Sequence, residues 1–130
     1  MIRNFRDLIV WKKAHELTLL IYRATAQFPY EERFHLVSQL RRASSSTAAN
    51  IVEGWGRRTD RDTGHFLNIA HCSNDEVKYF LILARDLELL SLDLFQRCEL
   101  LADEIGAMLF SLENRFNSFT AGRRQLTAGR

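Results

Sequence analysis

The chain has a single proline, Pro29, in 130 residues. Proline interrupts a helix more reliably than any other residue, so its scarcity leaves long helices free to form everywhere except near position 29. Glycine is scarce too, with six residues, which argues against a sheet protein built on many tight turns. The two cysteines, Cys72 and Cys98, lack the close spacing of a zinc or redox motif and the number needed for a secreted disulfide framework. They read as small, mostly buried thiols. The first residues, Met1-Ile2-Arg3-Asn4-Phe5-Arg6-Asp7, contain no apolar stretch of the kind a signal peptide needs, and no later run is apolar long enough to span a bilayer. The expected compartment is a reducing cytoplasm, with no membrane partner.

Lysine is the other shortage. Only Lys12, Lys13 and Lys78 stand beside fifteen arginines, in a chain whose formal net charge is only +2. The planar guanidinium fork suits phosphate and carboxylate better than an ammonium point charge does. A phosphate-bearing partner is therefore permitted, although overall charge does not demand one.

What is present is a helix-forming chain, 46% hydrophobic and 26% charged, of a length that suits one domain. Val10, Ala14, Leu17, Ile21, Ala24 and Phe28 recur at alternating spacings of four and three, which predicts a first helix from about Asp7 to Gln27 with Asp7 as its cap. A second helix is predicted from about Glu31 to Gly56. Its seam shrinks from Val37 and Leu40 to Ala43, Ser44, Thr47, Ala48 and Ile51, so a neighbour can approach closely along its later half.

Thr59 or Asp60 can cap a third helix reaching about Leu90, with Phe66, Ala70, Ser73, Val77, Phe80, Ala84 and Leu87 as its stripe. Within it, Tyr79-Phe80-Leu81-Ile82-Leu83 is apolar on every side, more than one bundle face can use. A fourth helix follows Ser91-Leu92-Asp93, with Leu101, Ile105, Met108, Leu112, Phe116 and Phe119 in register. The reading is an all-α, antiparallel up-down four-helix bundle over residues 1–120, followed by a polar, basic tail at 121–130.

No catalytic constellation is legible. His71, Cys72, Asp75 and Glu76 form two four-residue pairs that point in different directions. Glu32 and His35 make one Glu-x-x-His, where a di-iron bundle needs two such motifs and two further glutamates. Ser44-Ser45-Ser46 lies beside alanines in mid-helix and reads as packing, with no base marked to activate a serine. No metal, cofactor or enzymatic activity is expected. The basic groups are Lys12 and Lys13, Arg41 and Arg42, and Arg57 and Arg58 with Arg61. On one subunit they read as separate clusters on solvated faces, but repeated around an assembly they become a multivalent surface for a phosphate backbone. Of the aromatic residues, Trp55 is the one next to adjacent arginines in the chain, and there packing at a subunit boundary is expected over base stacking.

Ordered motifs carry a resemblance. Phe5-x-Asp7-Leu8-x-Val10-Trp11-x-Lys13-Ala14-x-Glu16-Leu17, Phe28-Pro29, Gln39-Leu40-Arg41-Arg42-Ala43, Asn50-Ile51-Val52-Glu53-Gly54, and Phe66-Leu67-x-Ile69-Ala70 with Ser73 and Glu76 span Phe5 to about Leu112. In this order they resemble the bacterial four-helix bundle proteins first noticed in intervening sequences of large-subunit ribosomal RNA genes. The resemblance implies a homopentameric ring of antiparallel four-helix subunits, no known enzymatic activity and a suspected nucleic-acid role. The accessory protein of diversity-generating retroelements is similar in architecture, and its basic pentamer binds nucleic acid and a reverse transcriptase. Two positions depart from the family pattern. Thr47-Ala48-Ala49 stands where a proline is common, which implies a straighter second helix, and Cys72 replaces the usual glycine before Ser73, adding bulk at a close contact.

Surplus apolar residues agree with assembly on their own account. Leu8, Trp11, Leu19, Leu20 and Tyr22 lie beside or off the first helix's stripe, and a monomer would expose them. Glu53 and Glu76 sit among apolar neighbours in sequence and are expected in a structural polar network with Arg42, Asn50 and Ser73, because burial without partners is costly. The expected protein is a homo-oligomer, pentameric by resemblance, that binds nucleic acid, RNA in preference to DNA, through Lys12, Lys13, Arg41, Arg42, Arg57, Arg58 and Arg61. The alternative is a scaffold that recruits a protein such as a reverse transcriptase without touching nucleic acid.

Overall fold

The computed structural model describes the backbone of residues 4–128 and the side chains of residues 4–116. Four helices make the fold: α1 (Ile9–Thr25), α2 (Leu36–Trp55), α3 (Asp60–Asp86) and α4 (Leu92–Ala128), with short 3-10 turns at Phe5–Asp7 and Tyr30–Glu32. Among the described residues there is no strand. Each helix packs on two others, α1 on α2 and α4, and α3 on α2 and α4. Gly54 with Thr63 and Ser46 with Ser73 run in opposite order along α2 and α3, as do Asn68 with Glu113 and Lys78 with Asp103 along α3 and α4, so these neighbours are antiparallel.

The apolar period of α1 became core as expected: Val10, Ala14, Leu17, Ile21 and Ala24 are buried, and Phe28 closes the same seam from the following loop. The helix itself is shorter than the pattern suggested. Asp7 belongs to the preceding 3-10 turn, which Asn4 caps by accepting from the Arg6 N–H at 2.9 Å, and Leu8 occupies the α1 N-cap without a side-chain hydrogen bond. Pro29 and the turn Tyr30–Glu32 likewise occupy the first residues expected in α2, which begins at Leu36.

The α2–α3 seam is close, and small residues are the reason. Ser44, Thr47 and Gly54 are buried on α2, opposite Thr63, Gly64, Ala70 and Ser73 on α3. A Cβ at Gly54 would lie 2.8 Å from the Phe66 Cβ and 3.3 Å from the Thr63 carbonyl oxygen, so glycine is what lets the backbones meet there. The Gly54 carbonyl accepts a hydrogen bond from the Thr63 hydroxyl at 3.0 Å, which uses that approach. Thr59 caps α3 through the Asp62 N–H at 3.1 Å, an arrangement worth about 1 kcal/mol.

The other end of α3 closes without glycine. Glu88 adopts φ 60°, and the Glu88 and Leu89 N–H groups return to the Arg85 and Ala84 carbonyls at 2.9 Å each, pairing carbonyls the helix end would leave open.

The stripes of α3 and α4 are rotated from those expected. Leu67, Ala70, Asn74, Val77, Leu81 and Ala84 face the core of α3, while Phe66 and Phe80 are only partly buried and Leu87 is exposed. On α4 the buried set is Phe95, Cys98, Ala102, Ile105, Leu109 and Glu113, with Leu101, Met108, Leu112 and Phe116 packed against its flank. Both helices carry more apolar residues than one face holds, so bulky side chains were assigned to the seam where smaller ones occupy it. Phe119 lies outside the described side chains, and α4 runs to Ala128, past residue 121 where the tail was expected to begin. Among the described residues no helix is long and apolar enough to cross a membrane.

Candidate nucleic-acid interface

The bundle separates its basic side chains. At the end formed by the start of α1, the end of α2 and the start of α3, Arg57, Arg58 and Arg61 are exposed around the α2–α3 link. Arg57 is tethered: its Nη2 donates to Glu53 Oε1 at 2.8 Å, and its guanidinium carbon lies 4.5 Å from the Phe66 ring centroid. On α1, Lys12 is exposed, whereas Lys13 reaches across to α4 and donates to Glu104 Oε2 at 3.1 Å. Arg41 and Arg42 stand on α2 toward the other end. Arg41 donates from Nε to Thr25 Oγ1 at 2.9 Å and from Nη2 to the Tyr22 carbonyl at 3.2 Å, with its guanidinium over the Tyr22 ring at 4.5 Å. Arg42 donates to Gln39 Oε1 at 2.7 Å. The seven expected basic residues thus occupy three places on one subunit.

The expected polar network divides in the same way. Asn50 and Ser73 are brought together through Ser46, whose hydroxyl accepts from Asn50 Nδ2 at 3.1 Å and pairs with the Ser73 hydroxyl at 3.0 Å. Arg42, Glu53 and Glu76 are not part of it: all three are exposed, Arg42 and Glu53 with the local partners named above. Their apolar sequence neighbours misled, because on a helix the residues beside i in sequence point to other faces. Cys72 is also exposed, so its bulk replaces nothing at a close contact within the subunit. Cys98 is buried, and loss of water around the thiol pushes its pKa up to about 11 against a small opposing pull from Arg97.

The candidate ligands of the third helix do not assemble. Among the described residues no group of three or more His, Cys, Asp and Glu side chains comes together. His71 instead pairs with a residue that periodicity passed over. Glu113, with a side chain only 10% exposed, accepts from Asn68 Nδ2 at 2.7 Å and bonds His71 Nδ1 at 2.5 Å. Both α3 side chains, Asn68 and His71, are thereby tied to α4. The signal was available: Glu113 follows Leu109 by four residues on the α4 seam. Nearby, Asn74 is fully buried and donates to the Ala102 carbonyl at 2.9 Å. On the flank of the same seam Lys78 pairs with Asp103 at 2.9 Å, and that hydrogen bond raises the lysine pKa against the opposing effect of burial.

Two surface recesses lie beside the arginines or the exposed aromatic residues. An apolar groove of about 510 Å³ is lined by Leu8, Ile9 and Val10 with Trp55, Met108 and Leu112. Trp55 meets Phe116 edge-on at 5.9 Å, a contact within the subunit rather than at the expected subunit boundary. The second, about 190 Å³, lies at the α1–α2 corner between Arg33 and Arg41 and includes Tyr30. Sequence reasoning passed over Tyr30 and Arg33, because the rings that share Arg33, Tyr30 and Phe34, lie four residues apart across a turn whose shape periodicity does not reveal.

An arginine-rich antiparallel four-helix bundle, with its basic groups spread over three surfaces, is the class of protein these features define. The family of 23S rRNA-intervening sequence proteins matches residues 6–111, and the chain belongs to that family. A crystal structure from Bacteroides thetaiotaomicron, described as a protein with unknown function from the S23 ribosomal protein family, is similar at a TM-score of 0.73 and 25% identity. That similarity covers 81% of this chain and 98% of the other. No curated protein matches the chain.

Proposed function

We propose that this protein is a non-enzymatic homo-oligomer that binds nucleic acid, RNA in preference to DNA, through arginine clusters repeated around the assembly. The observation that carries the reading is unspent charge on a subunit with unspent apolar surface. Among the described residues Arg42, Arg58 and Arg61 are exposed and form no ion pair with a carboxylate. Leu19, Tyr22, Tyr79, Ile82, Leu100 and Phe110 are exposed on α1, α3 and α4, more apolar surface than one bundle needs to leave in water. Covering those faces with further copies places the same arginines at regular intervals, which multiplies weak phosphate contacts. A closed ring, a pentamer by family resemblance, is the arrangement we favour. A reducing cytoplasm suits an exposed free thiol at Cys72.

The test is the mass of the purified protein in solution followed by RNA binding as a function of salt. An oligomer whose affinity falls steeply with salt, and falls again when Arg41, Arg42, Arg57 and Arg58 become alanine, is the expected result. A monomer, or an oligomer with salt-independent or undetectable binding, would sink the proposal. The apolar groove between Ile9, Trp55 and Met108 supports a second reading, a scaffold that recruits a protein such as a reverse transcriptase. Recovery of one protein partner after nuclease treatment, with no RNA binding by the pure oligomer, would favour it.

A further inference from the structure

We propose that the α1–α2 corner is a stacking site for single-stranded nucleic acid, in which Tyr30 and Phe34 receive bases while Arg33 and Arg41 hold phosphates. This deepens the nucleic-acid reading above and rests on it.

Phe34 and Tyr30 are the most exposed large apolar side chains among the described residues, at 76% and 72%. Both ride on a turn that the backbone holds firmly. Pro29 sets the entry, and the Glu32, Arg33 and His35 N–H groups donate to the Pro29, Tyr30 and Glu32 carbonyls at 3.0, 3.1 and 3.1 Å. Because the backbone of the turn is already hydrogen-bonded, presenting these rings to a base costs little backbone ordering.

Positive charge accompanies those rings. The Arg33 guanidinium carbon lies 5.4 Å from both the Tyr30 and the Phe34 centroids, and its Nη1 donates to the Tyr30 hydroxyl at 3.4 Å. Across the 190 Å³ recess, Arg41 is held over the Tyr22 ring by its bonds to Thr25 and to the Tyr22 carbonyl. Among the described residues neither Arg33 nor Arg41 is ion-paired with a carboxylate, and no acidic residue lines the recess. Glu32 faces the neighbouring groove toward Phe80 and Leu83 on α3; Glu31 shares the turn without lining the recess.

Exposed rings beside unneutralised guanidinium groups are what a single strand requires, since every base has a face to stack and every linkage a negative charge. A two-fold contact of this corner with a second copy of itself would bring like charges together, which argues against that occupant. Stacking uses the face of a base and not its edges, so the corner is expected to tolerate different sequences.

The test measures anisotropy of fluorescein-labelled oligo(U) of about 12 nucleotides, a length within the usual site size, on the full-length protein and on the Tyr30→Ala/Phe34→Ala variant. The expected loss is roughly thirtyfold, from two stacking contacts of about fivefold each or more. Tyr30→Trp/Phe34→Trp should retain binding, a blunt RNA duplex should bind the parent and the alanine variant alike, and oligo(dU) should lose affinity by the same factor as oligo(U). If the alanine variant binds oligo(U) as the parent does, the corner site is overturned while arginine-mediated binding stands. An equal loss for the duplex would overturn stacking as the cause. A fall in the variant's solution mass would show instead a face between copies, and absence of any binding by the parent would overturn both proposals.

Discussion

The two ends of the bundle use arginine in opposite ways. Beside the α2–α3 link, Arg57 is checked by Glu53 and lies on Phe66, at a junction where Gly54 brings two backbones together. At the α1–α2 corner, Arg33 and Arg41 have aromatic rings for company and no carboxylate in the recess between them. Counting basic residues along the chain ranks the first end higher, with three arginines within five positions. What surrounds each guanidinium removes that advantage: Arg57, already paired with a carboxylate, gives up part of what a phosphate would gain from it. Among the described residues this leaves two arginines unpaired with a carboxylate at each end, Arg58 and Arg61 at the first and Arg33 and Arg41 at the second.

The contrast can be broken by substitutions, beginning with the largest expected effect. Gly54→Val should destabilise the fold by about 3 kcal/mol, since the new side chain meets the Phe66 Cβ and the Thr63 backbone, neither of which can move as a flexible tip would. Denaturant titration checks it, and a loss near zero would mean that α2 and α3 separate easily. Glu113→Ala should cost about 2 kcal/mol by leaving Asn68 and His71 without their shared acceptor, again read as a shift in the urea midpoint.

At the corner the stakes for stability are lower. Arg41→Ala removes hydrogen bonds to Thr25 and to the Tyr22 carbonyl and should cost about 1 kcal/mol. Arg57→Ala should cost only about 0.5 kcal/mol, because its ion pair with Glu53 is an exposed i,i+4 contact. Equal losses at the two arginines would remove the distinction drawn between the ends. Smallest of all, Tyr30→Ala/Phe34→Ala should leave the melting midpoint nearly unchanged, within about 0.5 kcal/mol, since both rings are already in water. A large loss would show that the turn depends on its rings.

Much of the fold was legible in the chain. The α1 seam from Val10 to Phe28 is buried residue for residue, and the shrinking α2 seam foretold the close approach at Gly54. The helix starts near Asp7 and Glu31 were misplaced because both residues lie in short 3-10 turns that precede α1 and α2 without joining them. The α3 and α4 stripes were harder to read, since bulky apolar residues occur all round both helices and only packing distinguishes Leu81 from Phe80, or Leu109 from Met108.

The candidate interface was less legible. Lys13 and Arg41 looked like free cations in sequence, yet each is engaged by a partner sixteen or more residues away, Arg41 by Thr25 and Lys13 by Glu104. Tyr30 and Arg33 looked unremarkable, because their value depends on being held with Phe34 on one exposed turn.

By itself the sequence determined the helices, their antiparallel order and the small-residue seam, because hydrophobic period, a lone proline and residue size act locally or between adjacent elements. Only the tertiary structure decided which guanidinium is neutralised by a carboxylate, as Arg57 is by Glu53, which is held by neutral partners, as Arg41 is by Tyr22 and Thr25, and which rings stay in water, because those outcomes depend on where side chains come to rest.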